Sequence, residues 1–481
     1  MSPTTILLIV CAYFALLLFI SFLTSRRQSD ASNAAFFTGN RKSPWYIVAF
    51  GMIGTSISGV TFVSVPGMVT VTAFQYLQTC LGFIFGYALV AFILLPIYYR
   101  LRLITIYGYL HRRFGTYAYR SGATLFCISK ITGAAARLFL AVSILHYAIF
   151  QPLGVPFPLS VALLIFAIWL YTFKSGIRTI VFTDALQTFF LLLALILILC
   201  SVLDALDWSP LQACQQIYDS TISTTLNFSP ASPMFFPKQF FSGIFIVVVM
   251  TGLDQDMMQK NLSIATLKQS QKNMMTYGAA FLPVNLLFLS LGALLVFLAQ
   301  AKGILLPDQP DHILPFFATQ ILPPVVTVCF FIGIAAAAFS SADSALTSLT
   351  TSVSLDLINI QNRPERLRRP LRMFIHVAIT IVFFLLILAI HTLADKTSII
   401  DTIYRLASYT YGPLLGLFAF GLYTKRRPRD TFIPVIALFS PAFCGLIDYI
   451  CKVYFDYAFS YELLILNALI TFSLLWSVSK K

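Results

Sequence analysis

Thirteen apolar runs, each 17 residues or longer and joined by short polar connections, leave this chain few ways to fold. About 20 such residues carry a helix across the hydrocarbon core of a bilayer. The runs lie at 5–24, 44–70, 75–98, 120–150, 157–173, 180–203, 239–259, 274–301, 323–358, 371–393, 398–423, 431–452 and 460–478. Charge excludes a water-soluble fold: 10% of the 481 residues are charged and 58% are hydrophobic, against about 25% charged in soluble domains. The expectation is an all-α polytopic membrane protein of about 13 transmembrane helices, because helices satisfy their own backbone in lipid.

A net charge of +14 would suggest nucleic acid as partner of a soluble chain, but its distribution argues for the bilayer as partner and no nucleic acid. Most cations fall in alternate loops, from Arg26, Arg27, Arg41 and Lys42 through Arg112, Arg113, Lys174, Lys260, Lys268 and Lys272 to the Arg363–Arg372 run, Lys425, Arg426 and Lys481. The other side holds Lys238, Lys302, Lys396 and Lys452. The positive-inside rule then sets the N-terminus outside, the C-terminus in the cytoplasm and an odd number of spans. That places the chain in the cytoplasmic (inner) membrane as a multi-pass protein. The first run is read as an uncleaved helix, since Arg26–Arg27 follow it and no base precedes it. Eight cysteines show no CxxC or metal-ligand spacing, and the five histidines form no HExxH motif. Neither an enzyme nor a transition-metal centre is expected.

Loops 204–238 and 302–322 are the longest, and both are expected to hold short helices over the outer mouth. Within the second run, Gly51-Met-Ile-Gly-Thr-Ser-Ile-Ser-Gly59 packs three glycines and three hydroxyl residues into nine positions. Glycine is a poor helix former. Either the helix is discontinuous there, its freed carbonyls holding an ion, or small residues let two helices approach. Gly243 and Gly252 give the seventh run a weaker form of the same signal. If both runs are broken helices, two inverted five-helix repeats would run over 44–203 and 239–423 inside one transmembrane domain, although the halves share no sequence identity. Helix 5–24 would precede them and two helices in 431–478 would follow.

Ionisable residues at membrane depth are functional candidates by default. They are Lys130, Arg137, Asp184, Asp343 and Arg405, while Asp254, Asp256 and Asp356 read as interfacial caps or loop anchors. In the ninth run Ser340, Asp343, Ser344 and Thr347 share a helical face. Hydroxyls and a carboxylate are suitable ligands for a hard cation, so ion coordination is expected there. Asp184 either caps a helix start or joins these residues in a second cation site. Arg137, beside Gly133 and three alanines, either binds an anionic substrate through two parallel hydrogen bonds or neutralises Asp343.

Five motifs in order carry a family resemblance. They are Gly-Thr-Ser-Ile-Ser-Gly-Val-Thr-Phe at 54–62, Phe-Thr-Asp-Ala-Leu-Gln at 182–187, Asp-Gln-Asp-Met-Met-Gln-Lys at 254–260, Ala-Phe-Ser-Ser-Ala-Asp-Ser at 338–344 and Gly-Pro-Leu-Leu-Gly-Leu-Phe at 412–418. The chain resembles the sodium:solute symporter family over nearly its whole length. The resemblance implies a ten-helix core of two inverted repeats, each opening with a broken helix, and sodium-coupled symport of a small polar organic solute by alternating access. It implies a sodium site of the carbonyls of Gly54, Ile57 and Ala337 with the hydroxyls of Ser340 and Ser341. A second sodium site would match Asp184, Ser340, Asp343 and Ser344, although position 343 departs from the expected hydroxyl. Two carboxylates would strengthen that site, unless one pairs with Arg137 or Lys130. The matching substrate positions, Ser56, Ser58, Val60 and Thr61, depart from the sugar carriers toward the hydroxyl pattern of the sialic acid branch. Gln78, Arg137 and Asn285 are further substrate candidates, with Phe74 and Tyr76 as an outer gate. Sugar acids, amino acids and other carboxylates remain open as cargo. The alternatives are a proton-coupled or uncoupled carrier of the same fold and a transport-dead sensor, which is expected to carry a signalling domain.

Overall fold

The computed structural model of the chain describes residues 1–26, 33–172, 176–230, 232–393, 399–455, 457, 459 and 461–480. Of the loop cations named above, Arg27, Lys174, Lys396 and Lys481 lie outside the described residues. A helix or a bent helix pair stands at each of the thirteen apolar runs. In chain order they are α1 (Pro3–Arg26), α2a (Trp45–Ser56) with α2b (Gly59–Thr72), α3 (Tyr76–Arg100), α4 (Thr116–Phe150), α5 (Phe157–Thr172) and α6 (Ile177–Leu206). Then come α7a (Phe236–Gly252) with α7b (Gln255–Leu262), α8 (Leu267–Lys302), α9 (Pro324–Leu357), α10 (Glu365–Leu393), α11 (Ile399–Tyr423), α12 (Ile433–Phe455) and α13 (Leu463–Ser477). Eight of these are long and apolar enough to cross a membrane, and each bent pair qualifies when taken as one. The protein is an all-α polytopic membrane protein.

Local chemistry sets several boundaries. α8 starts where the Thr266 hydroxyl accepts the Gln269 amide at 3.3 Å, satisfying a free helix-start donor, and stops at Gly303 with φ +62°. The helix at Pro210–Asp219 in loop 204–238 begins with a reciprocal Ser209–Gln212 cap. Loop 302–322 likewise holds short helical turns between Pro310 and Ile321.

The second helix bends by 59° at Ile57–Ser58. Its first half closes with Ile57 N to Ile53 O at 2.9 Å, and the ladder restarts with Phe62 N to Ser58 O at 3.0 Å. Two of the glycines do a different task one or two turns earlier. A Cβ on Gly54 would stand 2.1 Å from Thr188 Oγ1, and one on Gly51 would stand 3.0 Å from Asp184 Cβ. The glycine run therefore holds both a close contact and a break, contact with α6 first and the break after it. The seventh helix bends by 62° at Leu253–Asp254, just past Gly252. Gly243 lies against α3 instead, where an added Cβ would meet Thr79 O at 2.3 Å.

Burial orders the helices around α9, whose most apolar stretch is 83% buried, against 28% for α1, α6 and α10. The outer helices turn Leu8, Phe19, Phe189, Leu193 and Ile381 outward, as a lipid-facing surface requires. The two bent pairs and α9 are thus held at the centre, where polar groups meet few competitors.

Candidate ion and substrate site

The α2 break faces the small-residue stretch of α9. Alanines from Ala335 to Ala338 let the backbones approach, and a Cβ on Gly59 would stand 3.7 Å from Ile334 and 3.9 Å from Ala338. A helix end leaves its last four carbonyls without partners inside the helix, here those of residues 54–57. Across from them the Ser340 hydroxyl lies 3.4 Å from that of Thr55, and Ser341 donates to Ala337 O at 3.1 Å. The α2 break, flanked by Gly54 and Ile57, and the Ala337–Ser341 turn of α9 thus meet through Thr55 and Ser340 and line one cavity through Ser56, Ser58 and Ser341; carbonyls and hydroxyls of this kind are neutral oxygens suited to a hard monovalent cation.

Beside these oxygens runs a buried chain of charges. Lys260 Nζ lies 2.8 Å from Asp184 Oδ2, 2.7 Å from Thr55 Oγ1 and 3.7 Å from Asp256 Oδ1. The other Asp184 oxygen accepts from Ser340 at 2.7 Å, and Ser344 reaches Oδ2 at 3.4 Å. Lys130 Nζ lies 2.7 Å from Asp256 and 3.3 Å from Asp254. Tyr411 donates to Asp254 at 2.7 Å, and Asp254 also caps α7b through the Asp256 amide at 2.8 Å. Charges taken out of water are tolerated only when each meets opposite charge and hydrogen bonds. This chain meets that condition while linking α4, α7b, α6, α2a and α9.

A cavity of about 1010 Å³, counted to its open mouth, lies against this network. Ser56, Ser58 and Thr61 line it from α2, and Lys130, Gly133 and Arg137 from one face of α4. Thr251, Asp254 and Asp256 of α7, Tyr277 of α8, Ser341 of α9 and Tyr411 of α11 complete the polar wall. Ser56 is hydrogen-bonded to the Tyr277 hydroxyl, which Tyr87 also meets at 2.8 Å. Among the described residues no carboxylate forms an ion pair with Arg137.

Other candidates lie elsewhere. Gln78 spends its amide on loop 204–238, donating to Met234 O at 2.9 Å and accepting from Asn227 N at 3.0 Å. Asn285 donates to Phe281 O at 2.8 Å within α8. Neither lines the cavity. Phe74 is buried, with its amide on Ile222 O at 3.1 Å, and Tyr76 lines a separate recess with Met234, Pro310 and Asp311. Asp343 pairs with neither Arg137 nor Lys130. One of its oxygens accepts from Tyr171 at 2.9 Å, and the other has no partner among the described residues. Arg405 pairs with Asp448 of α12, and Asp356 is held by Tyr119 and Ser352 at 2.7 Å each.

The largest correction concerns Lys260, counted above among loop cations but 1% exposed inside α7b. Asp254 caps α7b as read, but it and Asp256 also face the cavity and pair with Lys130. The available signal was the i, i+4 spacing of Asp256 and Lys260, which places opposite charges one turn apart.

Comparisons with known proteins place the chain in a family. A model of the sodium:solute symporter family matches residues 36–430. The chain is 25% identical over 440 residues to the sodium/sialic acid symporter NanT of Aliivibrio fischeri, covering 87% of this chain and 83% of that protein. It is 23% identical over 438 residues to the sodium/sialic acid symporter SiaT of Proteus mirabilis, covering 87% and 84%. Among solved structures, a Na+-coupled sialic acid symporter in a substrate-bound outward-open state superposes with a TM-score of 0.82 at 19% identity, over 99% of this chain and 98% of that one. The nucleobase-cation-symport-1 transporter Mhp1, in a closed conformation, superposes at 0.57 with 15% identity, over 93% and 95%. Both structures share the fold.

Proposed function

Because the chain belongs to the sodium:solute symporter family and is a sodium-coupled symporter, we propose that its cargo is a small hydroxylated carboxylate held by Arg137 in the central cavity. The observation that carries this reading is a guanidinium in the cavity wall with no carboxylate of the described chain paired to it. A planar guanidinium takes a carboxylate through two parallel hydrogen bonds. Ser56, Ser58 and Thr61 supply hydroxyls for the rest of the molecule. Sialic acid, the cargo named for two relatives, is the first compound to test.

Sodium binds between Gly54 and Ile57 of α2 and Ala337, Ser340 and Ser341 of α9. Bound there, it holds the broken helix against α9 and so stabilises the wall that carries Ser56, Ser58 and Thr61. The protein sits in the cytoplasmic membrane with its N-terminus outside, and ion and solute leave inward as the helices carrying the breaks rock against the rest.

Thermal unfolding of the purified protein in detergent tests both halves, since a ligand of the folded state raises the melting temperature by mass action. Sodium replacing potassium is expected to raise it, and Ser341→Ala to abolish the rise. Sialic acid in sodium is expected to raise it further, and Arg137→Ala to remove only that second increment. A sodium effect that survives Ser341→Ala would move the ion elsewhere, and an acid response unchanged in Arg137→Ala would sink the anionic reading.

A further inference from the structure

A lysine is rarely buried at membrane depth without a purpose, and Lys260 is 1% exposed. Its ammonium has three protons to donate and three oxygens around it, on Asp184, Thr55 and, farther off, Asp256. Asp184 in turn has both oxygens engaged, one by Ser340 and the other by Lys260 with Ser344 at longer range. Of the four residues that the family resemblance implies for a second sodium, Asp184 thus bonds the ammonium, and Ser340 and Ser344 bond Asp184 rather than an ion. The fourth, Asp343, turns an oxygen to Tyr171 instead.

We propose that the Lys260 ammonium takes the place of a second sodium ion, so that this chain binds and carries one sodium per cycle. The proposal rests on the sodium site of α2 and α9 and deepens that reading by fixing its stoichiometry. The charges agree with it. Asp184, Asp254, Asp256 and Asp343 stand with Lys130, Arg137 and Lys260, four negative groups against three positive, and one sodium at the neighbouring oxygens completes the balance. Lys260 also rides on α7b directly after the second break while touching Thr55 directly before the first. A tethered cation there ties the two broken helices together without having to be loaded and released.

Counting bound 22Na+ on the purified full-length protein tests the idea without a known solute. The wild type is expected to hold one ion per chain, and Ser341→Ala none. Lys260→Gln, which frees Asp184, is expected to hold two; Lys260→Arg and the double variant Lys260→Gln/Asp184→Asn are expected to return to one. A lysine that merely pins helices would change the melting temperature and leave the count alone. Should Lys260→Gln not fold, Asp184→Asn decides, because Asp256 is near enough to receive the ammonium. It keeps one ion if Lys260 fills the site and loses one if Asp184 is a sodium ligand. Two ions on the wild type, or one on folded Lys260→Gln, would overturn the proposal and leave the first site standing. No ion on the wild type would instead overturn the α2–α9 site itself.

Discussion

Lys130 stands against two carboxylates, Asp254 and Asp256, that share its ammonium inside the protein. Removing one partner of a buried ion pair costs about 3–5 kcal/mol, because the charge left behind is uncompensated. Lys130→Met is therefore expected to lower the melting temperature in detergent sharply, with or without sodium, and adding Asp256→Asn should recover part of the loss. Asp343→Asn makes the contrasting case. Among the described residues no cation forms an ion pair with Asp343, and an amide oxygen still accepts from Tyr171, so the cost should stay near the roughly 0.5–1.5 kcal/mol of an ordinary hydrogen bond. A larger loss from Asp343→Asn than from Lys130→Met would mean that the charges are paired otherwise. These residues also mark how far a sequence speaks at this scale. Asp184, Asp343 and Ser340 stand out because a polar group in an apolar helix has few innocuous explanations. Lys260 does not, because the rule that assigns cations to one side of a membrane absorbs every lysine near a helix end. Gln78 and Asn285 were visible as polar, but what an amide bonds depends on a neighbour distant in sequence, here loop 204–238 for Gln78.

At the level of the helices, glycine positions separate fold from function. A Cβ at Gly54 would lie 2.1 Å from Thr188 Oγ1 and 3.0 Å from Thr188 Cα, so α2a must move away from α6 to admit it. Overpacking of this kind costs about 1–3 kcal/mol. Gly54→Ala is expected to lower the melting temperature and to weaken sodium binding together, since the same turn carries the sodium ligand proposed above. Gly133→Ala behaves differently. Nothing stands within 4 Å of the added carbon, and the residue lines the cavity one turn from Arg137. It should leave the melting temperature and sodium binding unchanged while weakening the acid-induced shift. A lowered melting temperature in Gly133→Ala would show that α4 packs more tightly there than its surroundings indicate. The glycine run of α2 announced something unusual but not where the bend would fall, because close packing and chain breaking favour the same residue. The α7 bend was fainter still: Gly243 serves contact with α3, and the break is set by Asp254, whose carboxylate rewards a new helix start at Gln255.

For the molecule as a transporter, the count of ions decides what drives it. The apolar runs made the membrane fold legible from the sequence because lipid accepts so few backbone arrangements, whereas the charge carried per cycle depends on an ion pair between Asp184 and Lys260, 76 positions apart in the sequence. One sodium moving with one monoanionic carboxylate transfers no net charge. Each charge that does cross a membrane gains about 2.3 kcal/mol per 100 mV, so an electroneutral cycle forgoes that drive and relies on the sodium gradient alone. A tenfold gradient is worth about 1.4 kcal/mol and sets a ceiling of about tenfold on accumulation. In proteoliposomes with potassium and valinomycin clamping the potential, sodium-driven uptake of the acidic cargo should reach the same level at zero and at −100 mV. Lys260→Gln, carrying a second sodium, should become voltage-dependent and accumulate more at −100 mV. Voltage-dependent accumulation by the wild type would mean that a second cation crosses with the solute, and Asp343, with one oxygen free of partners among the described residues, would then be the place to look for it.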